Sequence, residues 1–481
     1  MPEVAPPATR TRGFLLDGKW TTEGRLVEVR SPFDQSVVGT VCFAGRPQVA
    51  EAIAAATKAF EVTRKLPAYE RQRVLRSVSR QIAERQEEFA RSIALEAGKP
   101  IKTARAEVDR AIFTFQVASE EATRIYGEYL PLDLQEFTAG RWALVRRFPL
   151  GPIAAITPFN FPLNLVAHKV APAIAAGCTV VLKPASQTPM SALLLAEAVE
   201  KAGWPAGGLN VLPLRSKDAE ELVTDDRLKM LSFTGSPVVG WKLKSSAGKK
   251  RVTLELGGNA GVIVHSDAEL DYAAERCTVG AFSYAGQSCI AVQRILVQRE
   301  VYDSFLQKFL ERVARLKTGD PLDETTDVGP LISEPDAVRA CEWVEEAVAG
   351  GAQLRCGGKR RGSVVEPTVL TGTRPEMRVN CQEIFAPVKT VEAYDKFEDA
   401  LHQVNDSAFG LQAGVFTRDA KLIFQAYDEL DVGGVLVGEV PTFRIDHMPY
   451  GGVKDSGMGR EGLRYAIEEM TERKLLVMNL R

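Results

Sequence analysis

The 481-residue sequence predicts an α/β protein with two parallel-sheet units and a small β extension. Three observations lead there. From Pro152 to Gly240 short apolar strands alternate with helical segments, the pattern of a parallel sheet covered by helices. A second strand–helix series follows Gly257-Gly258 and runs on to Gly434. An alternating hairpin at residues 129–148 stands outside both.

The elements follow in order. Residues 13–45 alternate apolar runs with turns, as in Leu15–Trp20 and Ser31–Asp34, and are expected to be antiparallel strands. Arg46–Gly127 is rich in Ala, Glu, Arg and Leu, and Pro67 and Gly98-Lys99-Pro100 divide it into several helices. Tyr129–Leu134 and Trp142–Pro149 form a hairpin around Gly140 whose alternation suits an edge that pairs with another subunit.

Pro152–Thr157, Thr179–Lys183 and Leu209–Pro213 are strands, separated by helices at Ala167–Ala176 and Ser191–Ala202. Met230–Gly240 repeats the unit as strand, Gly turn and helix start. In the second unit Ala260–His265 is a strand, a helix runs through Cys277, and Ala291–Val297 is strand-like. The Gly-rich loop Pro449–Gly462 leads to a helix at Leu463–Met470 and a strand at Lys474–Met478. Residues Met1–Arg10 lack an apolar signal core and are expected to be a short disordered lead-in.

Composition excludes several function classes. The formal net charge is −2 with no basic block, so no nucleic acid is expected as a partner. No apolar run reaches the roughly 18–20 residues that span a bilayer, so no membrane is expected. The seven cysteines (Cys42, Cys178, Cys277, Cys289, Cys341, Cys356 and Cys381) are odd in number and lack CxxC pairing. That argues for a reducing, cytoplasmic setting and against disulfides or zinc. The four histidines, His168, His265, His402 and His447, show no HxxxH spacing, so no metal is expected and any general base is a carboxylate.

Cys289 stands in Phe282-Ser-Tyr-Ala-Gly-Gln-Ser-Cys-Ile290, a run of small and hydroxylic residues ahead of a strand. A thiolate attacks carbonyls well, although most cysteines are simply small buried apolar residues. Asn160, in Pro158-Phe-Asn-Phe-Pro162, follows a parallel strand where ligands gather. Its amide could donate to an oxyanion beside the Cys289 backbone N–H, or merely fix a turn between prolines.

Glu255 ends an apolar strand at Gly257-Gly258, where burial would raise its pKa toward that of a general base; bonding to backbone groups is the plain alternative. Lys183 could reach ribose or phosphate oxygens, and Gly235-Ser236 opens a helix that could face a pyrophosphate. Glu383 could accept from a ribose hydroxyl and Phe385 could flank a nicotinamide.

PFNFP, KPA, FTGS, LELGG, GQSC, EIFAP and PYGGVKDSGMGREG occur in that order, and together they resemble the aldehyde dehydrogenase superfamily. The similarity extends from about Asp17 to the C-terminus. It implies two Rossmann-like domains with an oligomerising β extension. One domain would hold the cofactor over 13–128 and 149–254, and the other would be catalytic over 255–440. Residues 129–148 and 471–481 would form the extension, and 441–470 would return to line the substrate funnel.

The resemblance also implies a role for each matching residue. Cys289 would be the nucleophile, Asn160 the oxyanion donor and Glu255 the base for deacylation. Thr157, Pro158, Phe159, Lys183, Ser186, Gly235, Ser236, Leu256, Gly257, Glu383 and Phe385 would contact the cofactor. Phe161, Ser288, Ile290, Arg110 and Arg444 would face the substrate. The implied partners are NAD or NADP, a small aldehyde, and further copies of the chain in a dimer or a dimer of dimers.

Three departures from the family pattern bear on this reading. Ser186 replaces the Glu common in NAD-strict members, which would repel a 2′-phosphate, so use of both cofactors is expected. Ala386 replaces the usual Gly of EIFGP, and the Gly208–Lys217 segment lacks the common Val-Thr-Gly ending. Glu255 itself speaks against the CoA-acylating branch.

Val440–Pro449, with Ser288 and Ile290, resembles the lactaldehyde, glyceraldehyde-3-phosphate and phosphonoacetaldehyde branch. Relatives that take phosphorylated substrates often carry Arg where Ser288 stands, so the sequence leans to a neutral hydroxyaldehyde such as lactaldehyde or glycolaldehyde. An anionic short-chain aldehyde held by Arg444 or Arg110 is the second expectation. A silent relative and a thiol-dependent ester hydrolase are the other classes, separated from these by whether turnover needs NAD(P).

Overall fold

The computed structural model describes residues 11–479, so the expected lead-in and the last two residues of the expected extension lie outside the described residues. Two large sheets organise the chain. The first has eight strands, and its parallel centre runs Arg251–Glu255, Met230–Thr234, Ile153–Ile156, Val180–Lys183, Leu209–Val211. Its edges are closed by antiparallel pieces, Gly457–Met458 at one side and the hairpin Phe14–Leu16/Lys19–Thr21 at the other. The chain fills this sheet outward from Ile153–Ile156, first toward Leu209–Val211 and then back to the other side with Met230–Thr234. The order reverses between Ile153–Ile156 and Met230–Thr234, and a crevice opens beyond their carboxyl ends.

The second sheet has seven strands in the order Gln353–Cys356, Thr368–Thr371, Val388–Tyr394, Val292–Gln298, Ala260–Val264, Gln412–Phe416, Gly434–Val437. All of its pairs are parallel except the one at Gln353–Cys356. Its central strands are buried on both faces and are rich in Val, Ile and Leu, as the near-continuous apolar runs require.

The expected run of helices is four: Arg46–Thr63, Ala68–Glu84, Gln86–Ala97 and Ile101–Glu121. The second of their three breaks falls at Arg85, with neither Pro nor Gly to announce it. The hairpin strands Glu128–Pro131 and Arg141–Pro149 pair antiparallel, and Thr471–Asn479 joins them as a third strand against Arg141–Pro149. Tyr129, Leu134, Phe137, Leu475, Leu476 and Val477 leave apolar side chains exposed on this sheet and its loop.

Two buried carboxylates fix helices that matter for the site. Glu107 Oε1 accepts from Leu163 N–H and Asn164 N–H at 3.0 and 3.1 Å, capping the wholly buried helix Asn164–Ala176. Glu96 accepts from Met190 N–H and Ser191 N–H and does the same for Met190–Lys201.

Candidate active site

A cavity of ≈ 670 Å³ opens at the crevice of the first sheet and extends past the Ser283–Ile290 loop toward Thr442–Arg444. Pro158, Phe159, Asn160 and Phe161 reach it from the end of Ile153–Ile156, and Gly235 and Ser236 from the end of Met230–Thr234. Glu255, Leu256 and Gly257 line it, as do Ser288, Cys289, Ile290, Glu383, Phe385, Arg110 and Arg444. Lys183 and Ser186 are not in its wall. Lys183 is buried with Nζ donating to Pro184 O at 3.4 Å, and Ser186 lines a neighbouring cavity of ≈ 570 Å³.

Cys289 is delivered by an unusual turn. The helix Leu270–Phe282 ends, and Tyr284, Ala285 and Gly286 adopt left-handed φ of 50°, 54° and 71°. Gln287 then locks the loop: its Nε2 donates to Pro330 O at 3.2 Å and its Oε1 accepts from Ile332 N–H at 2.8 Å. Asn160 Nδ2 donates to Gln287 O at 3.0 Å, which fixes the amide plane and leaves its second hydrogen for another acceptor. Gly258 is required here, because a Cβ on it would lie 2.1 Å from Cys289 O.

Burial pushes the Cys289 thiol up to about 12; Tyr450, whose hydroxyl lies 3.1 Å from Sγ, is the main group drawing it back down. Glu255 is held well above the ordinary carboxylate range, first by burial and then by the nearby Glu461 carboxylate. Both Glu255 oxygens are buried without a protein hydrogen-bond partner. Glu383 is pushed to about 7 by burial, against the pull of the Gly258 N–H donating to Oε1 at 2.8 Å.

The residues present fit a dinucleotide. Thr157 Oγ1 and Thr234 Oγ1, at the carboxyl ends of the two strands flanking the crevice, are buried with no hydrogen-bond partner. The rings of Phe159 and Phe385 meet edge-on with centroids 6.0 Å apart at the same mouth. Among the described residues no group of three or more His, Cys, Asp or Glu is placed to hold a metal ion.

Behind the substrate side lies a buried charge cluster whose members sequence reasoning named only in part. Arg110 clasps Asp446 through two bonds, of 2.7 Å and 3.2 Å. His168 lies between two carboxylates, 2.7 Å from Asp446 Oδ1 and 3.0 Å from Glu461 Oε2. Arg444 donates to Glu461 Oε2 at 2.9 Å, and Lys169 Nζ approaches Oε1 at 3.5 Å. Arg444 is therefore buried and ion-paired, and its Nε remains without a partner. Burial opposes charge on Asp446 and Glu461, but His168 and the neighbouring cations outweigh it and hold both carboxyls well below the usual range. His168 and Glu461 gave no spacing signal, because their partners lie on other elements.

A family model described as aldehyde dehydrogenase family matches residues 20–476. The chain is 45% identical over 469 residues to a 3-sulfolactaldehyde dehydrogenase of Priestia aryabhattai, covering 97% of this chain and 98% of the relative. Its fold is similar to the crystal structure of aldehyde dehydrogenase 21 from Physcomitrella patens in complex with the reaction product succinate. That match has a TM-score of 0.97 and 44% identity, covering 98% and 99% of the two chains. It is also similar to glyceraldehyde-3-phosphate dehydrogenase GapN from Methanocaldococcus jannaschii complexed with NADP, with a TM-score of 0.91, 39% identity and 95% and 99% coverage.

Proposed function

The chain belongs to the aldehyde dehydrogenase family and is an NAD(P)-dependent aldehyde dehydrogenase, and we propose that its substrate is a short 2-hydroxy aldehyde with an anionic far end. One observation carries this. Arg110 and Arg444 both line the cavity, each paired with a carboxylate, Asp446 and Glu461 respectively, and Arg444 keeps an unused N–H. A guanidinium in the cavity wall with an unsatisfied donor favours an incoming anion. The sequence leaned to a neutral hydroxyaldehyde. The cluster moves the weight to the anionic alternative, and the similarity to a sulfolactaldehyde dehydrogenase and to a succinate complex supports both the hydroxyl and the anion.

In this reading the Cys289 thiolate adds to the aldehyde carbon, while Asn160 and the Cys289 N–H donate to the oxygen that becomes negative. The bound dinucleotide supplies the hydride acceptor. Loss of hydride leaves the acyl group on Cys289 as a thioester. Glu255 takes a proton from water, the water oxygen attacks the thioester carbon, and the C–S bond breaks to release the acid. The exposed apolar side chains of the extension support a homo-oligomer, a dimer or a dimer of dimers. The scattered, unpaired cysteines support a cytoplasmic setting.

The test is NAD(P)H formation with each cofactor against sulfolactaldehyde, succinate semialdehyde, glyceraldehyde 3-phosphate, lactaldehyde and glycolaldehyde. We expect kcat/KM for an anionic aldehyde to exceed that for its neutral analogue by at least about tenfold, close to 1.4 kcal/mol. Arg444→Met should erase most of that margin. Equal rates for neutral and anionic partners would return the reading to lactaldehyde or glycolaldehyde.

Cofactor choice gives a separate prediction. Ser186 Oγ donates to Leu214 O at 3.1 Å and adds no charge to its cavity. Ser186→Glu would set a carboxylate against the 2′-phosphate, so kcat/KM with NADP should fall at least about tenfold relative to NAD. An unchanged ratio in a spectrophotometric assay would remove Ser186 from the cofactor site.

A further inference from the structure

We propose that Tyr450 is a further catalytic residue: its hydroxyl donates to the Cys289 sulfur and stabilises the thiolate when it forms, and the Arg444 guanidinium behind the ring strengthens that hydroxyl as a donor. The proposal rests on the reading of Cys289 as nucleophile. The Tyr450 oxygen is 3.1 Å from Cys289 Sγ, although the two residues are 161 positions apart in the chain. Tyr450 is 3% exposed and packs with Ile290 and Leu411, so little water can solvate the sulfur on that side. The Arg444 guanidinium sits 3.6 Å from the Tyr450 ring centroid.

The placement is built rather than incidental. Tyr450 and Glu461 exchange backbone hydrogen bonds, with Glu461 N–H donating to Tyr450 O at 2.6 Å and Tyr450 N–H donating to Glu461 O at 3.1 Å. Glu461 in turn accepts from Arg444, so one short frame fixes the ring, the cation on its face and the hydroxyl at its tip.

A thiolate in an apolar wall is costly unless something donates to it, and a donor to an anion makes one of the stronger hydrogen bonds. A cation over the ring draws electron density from the phenol and sharpens its O–H. The proton count is simple. The thiol proton leaves to solvent water, while the phenol keeps its own proton and shares it with sulfur. Burial, and then the neighbouring Cys289, hold the Tyr450 phenol well above its ordinary range, which keeps that proton on oxygen.

The experiment measures alkylation of Cys289 by iodoacetamide, a neutral reagent, as a function of pH, read by mass spectrometry of the Cys289 peptide. Tyr450→Phe should shift the profile to higher pH and slow alkylation near neutrality by about tenfold, the effect of one pKa unit. kcat should fall with it while KM for the aldehyde changes little. Replacing Tyr450 by 3-fluorotyrosine, which keeps the ring and makes the phenol a better donor, should move the profile the other way and does not depend on Tyr450→Phe folding. Superimposable profiles for wild type and either variant would overturn the proposal. A Cys289→Ser enzyme that still oxidises aldehyde would instead overturn the nucleophile reading, so the two failures are distinguishable.

Discussion

Cys289→Ala is expected to lower kcat for aldehyde oxidation by at least about 10³-fold while leaving NAD(P)H binding, followed by fluorescence, unchanged. The reason lies in what else the cavity offers. Ser283, Ser288 and Thr442 line the same space, but a neutral hydroxyl is a far weaker nucleophile and no His stands among the lining residues to activate one. The thiol itself is pushed well above its ordinary range by burial, so little of it is thiolate at neutral pH before cofactor and substrate arrive. The resting site therefore holds a masked nucleophile. Its reactivity should climb steadily as pH rises through neutrality rather than level off below it. Stopped-flow NAD(P)H formation on wild type against Cys289→Ala reads both points, and a variant retaining more than about a tenth of the rate would require another nucleophile.

The sequence and the structure meet unevenly, and the differences have physical causes. Ile153–Ile156, Val180–Lys183 and Met230–Thr234 were legible because strands buried on both faces must be continuous apolar runs, and helices must separate them. The break at Arg85 was not legible, because it uses an ordinary residue, with no Pro or Gly, between the two helices.

In the site, Cys289, Glu255 and Asn160 stand in short motifs whose local pattern carries the signal. The charge cluster does not. His168, Asp446 and Glu461 are brought together from positions 278 and 293 residues apart, and each alone is an unremarked polar residue. The same holds for Tyr450, which sits inside a quoted motif yet becomes chemical only because the Gly-rich loop folds back onto Cys289. Long-range pairing of buried charge leaves no periodicity, so geometry had to supply it.

Glu255→Gln is the second large expectation. The variant should produce NAD(P)H in a rapid burst of about one equivalent per active site and then turn over about 10²- to 10⁴-fold more slowly than wild type. Hydride loss from the carbon needs Cys289 and the oxyanion donors, which the substitution leaves in place. Hydrolysis of the thioester needs a base, and both oxygens of Glu255 are buried with no protein partner. An amide of the same shape cannot take the proton from water, so the acyl group accumulates on Cys289.

The pH dependence follows from the same residue. Burial and the Glu461 carboxylate raise the Glu255 pKa, so its ionised fraction, and with it the wild-type steady-state rate, grows as pH rises. That limb should vanish in Glu255→Gln. A raised pKa also makes the carboxylate a better acceptor for a water proton, and Glu461, held ionised by Arg444, Lys169 and His168, sustains it. Absence of the burst would mean that Glu255 is needed already to deprotonate Cys289, and would move its role ahead of hydride loss.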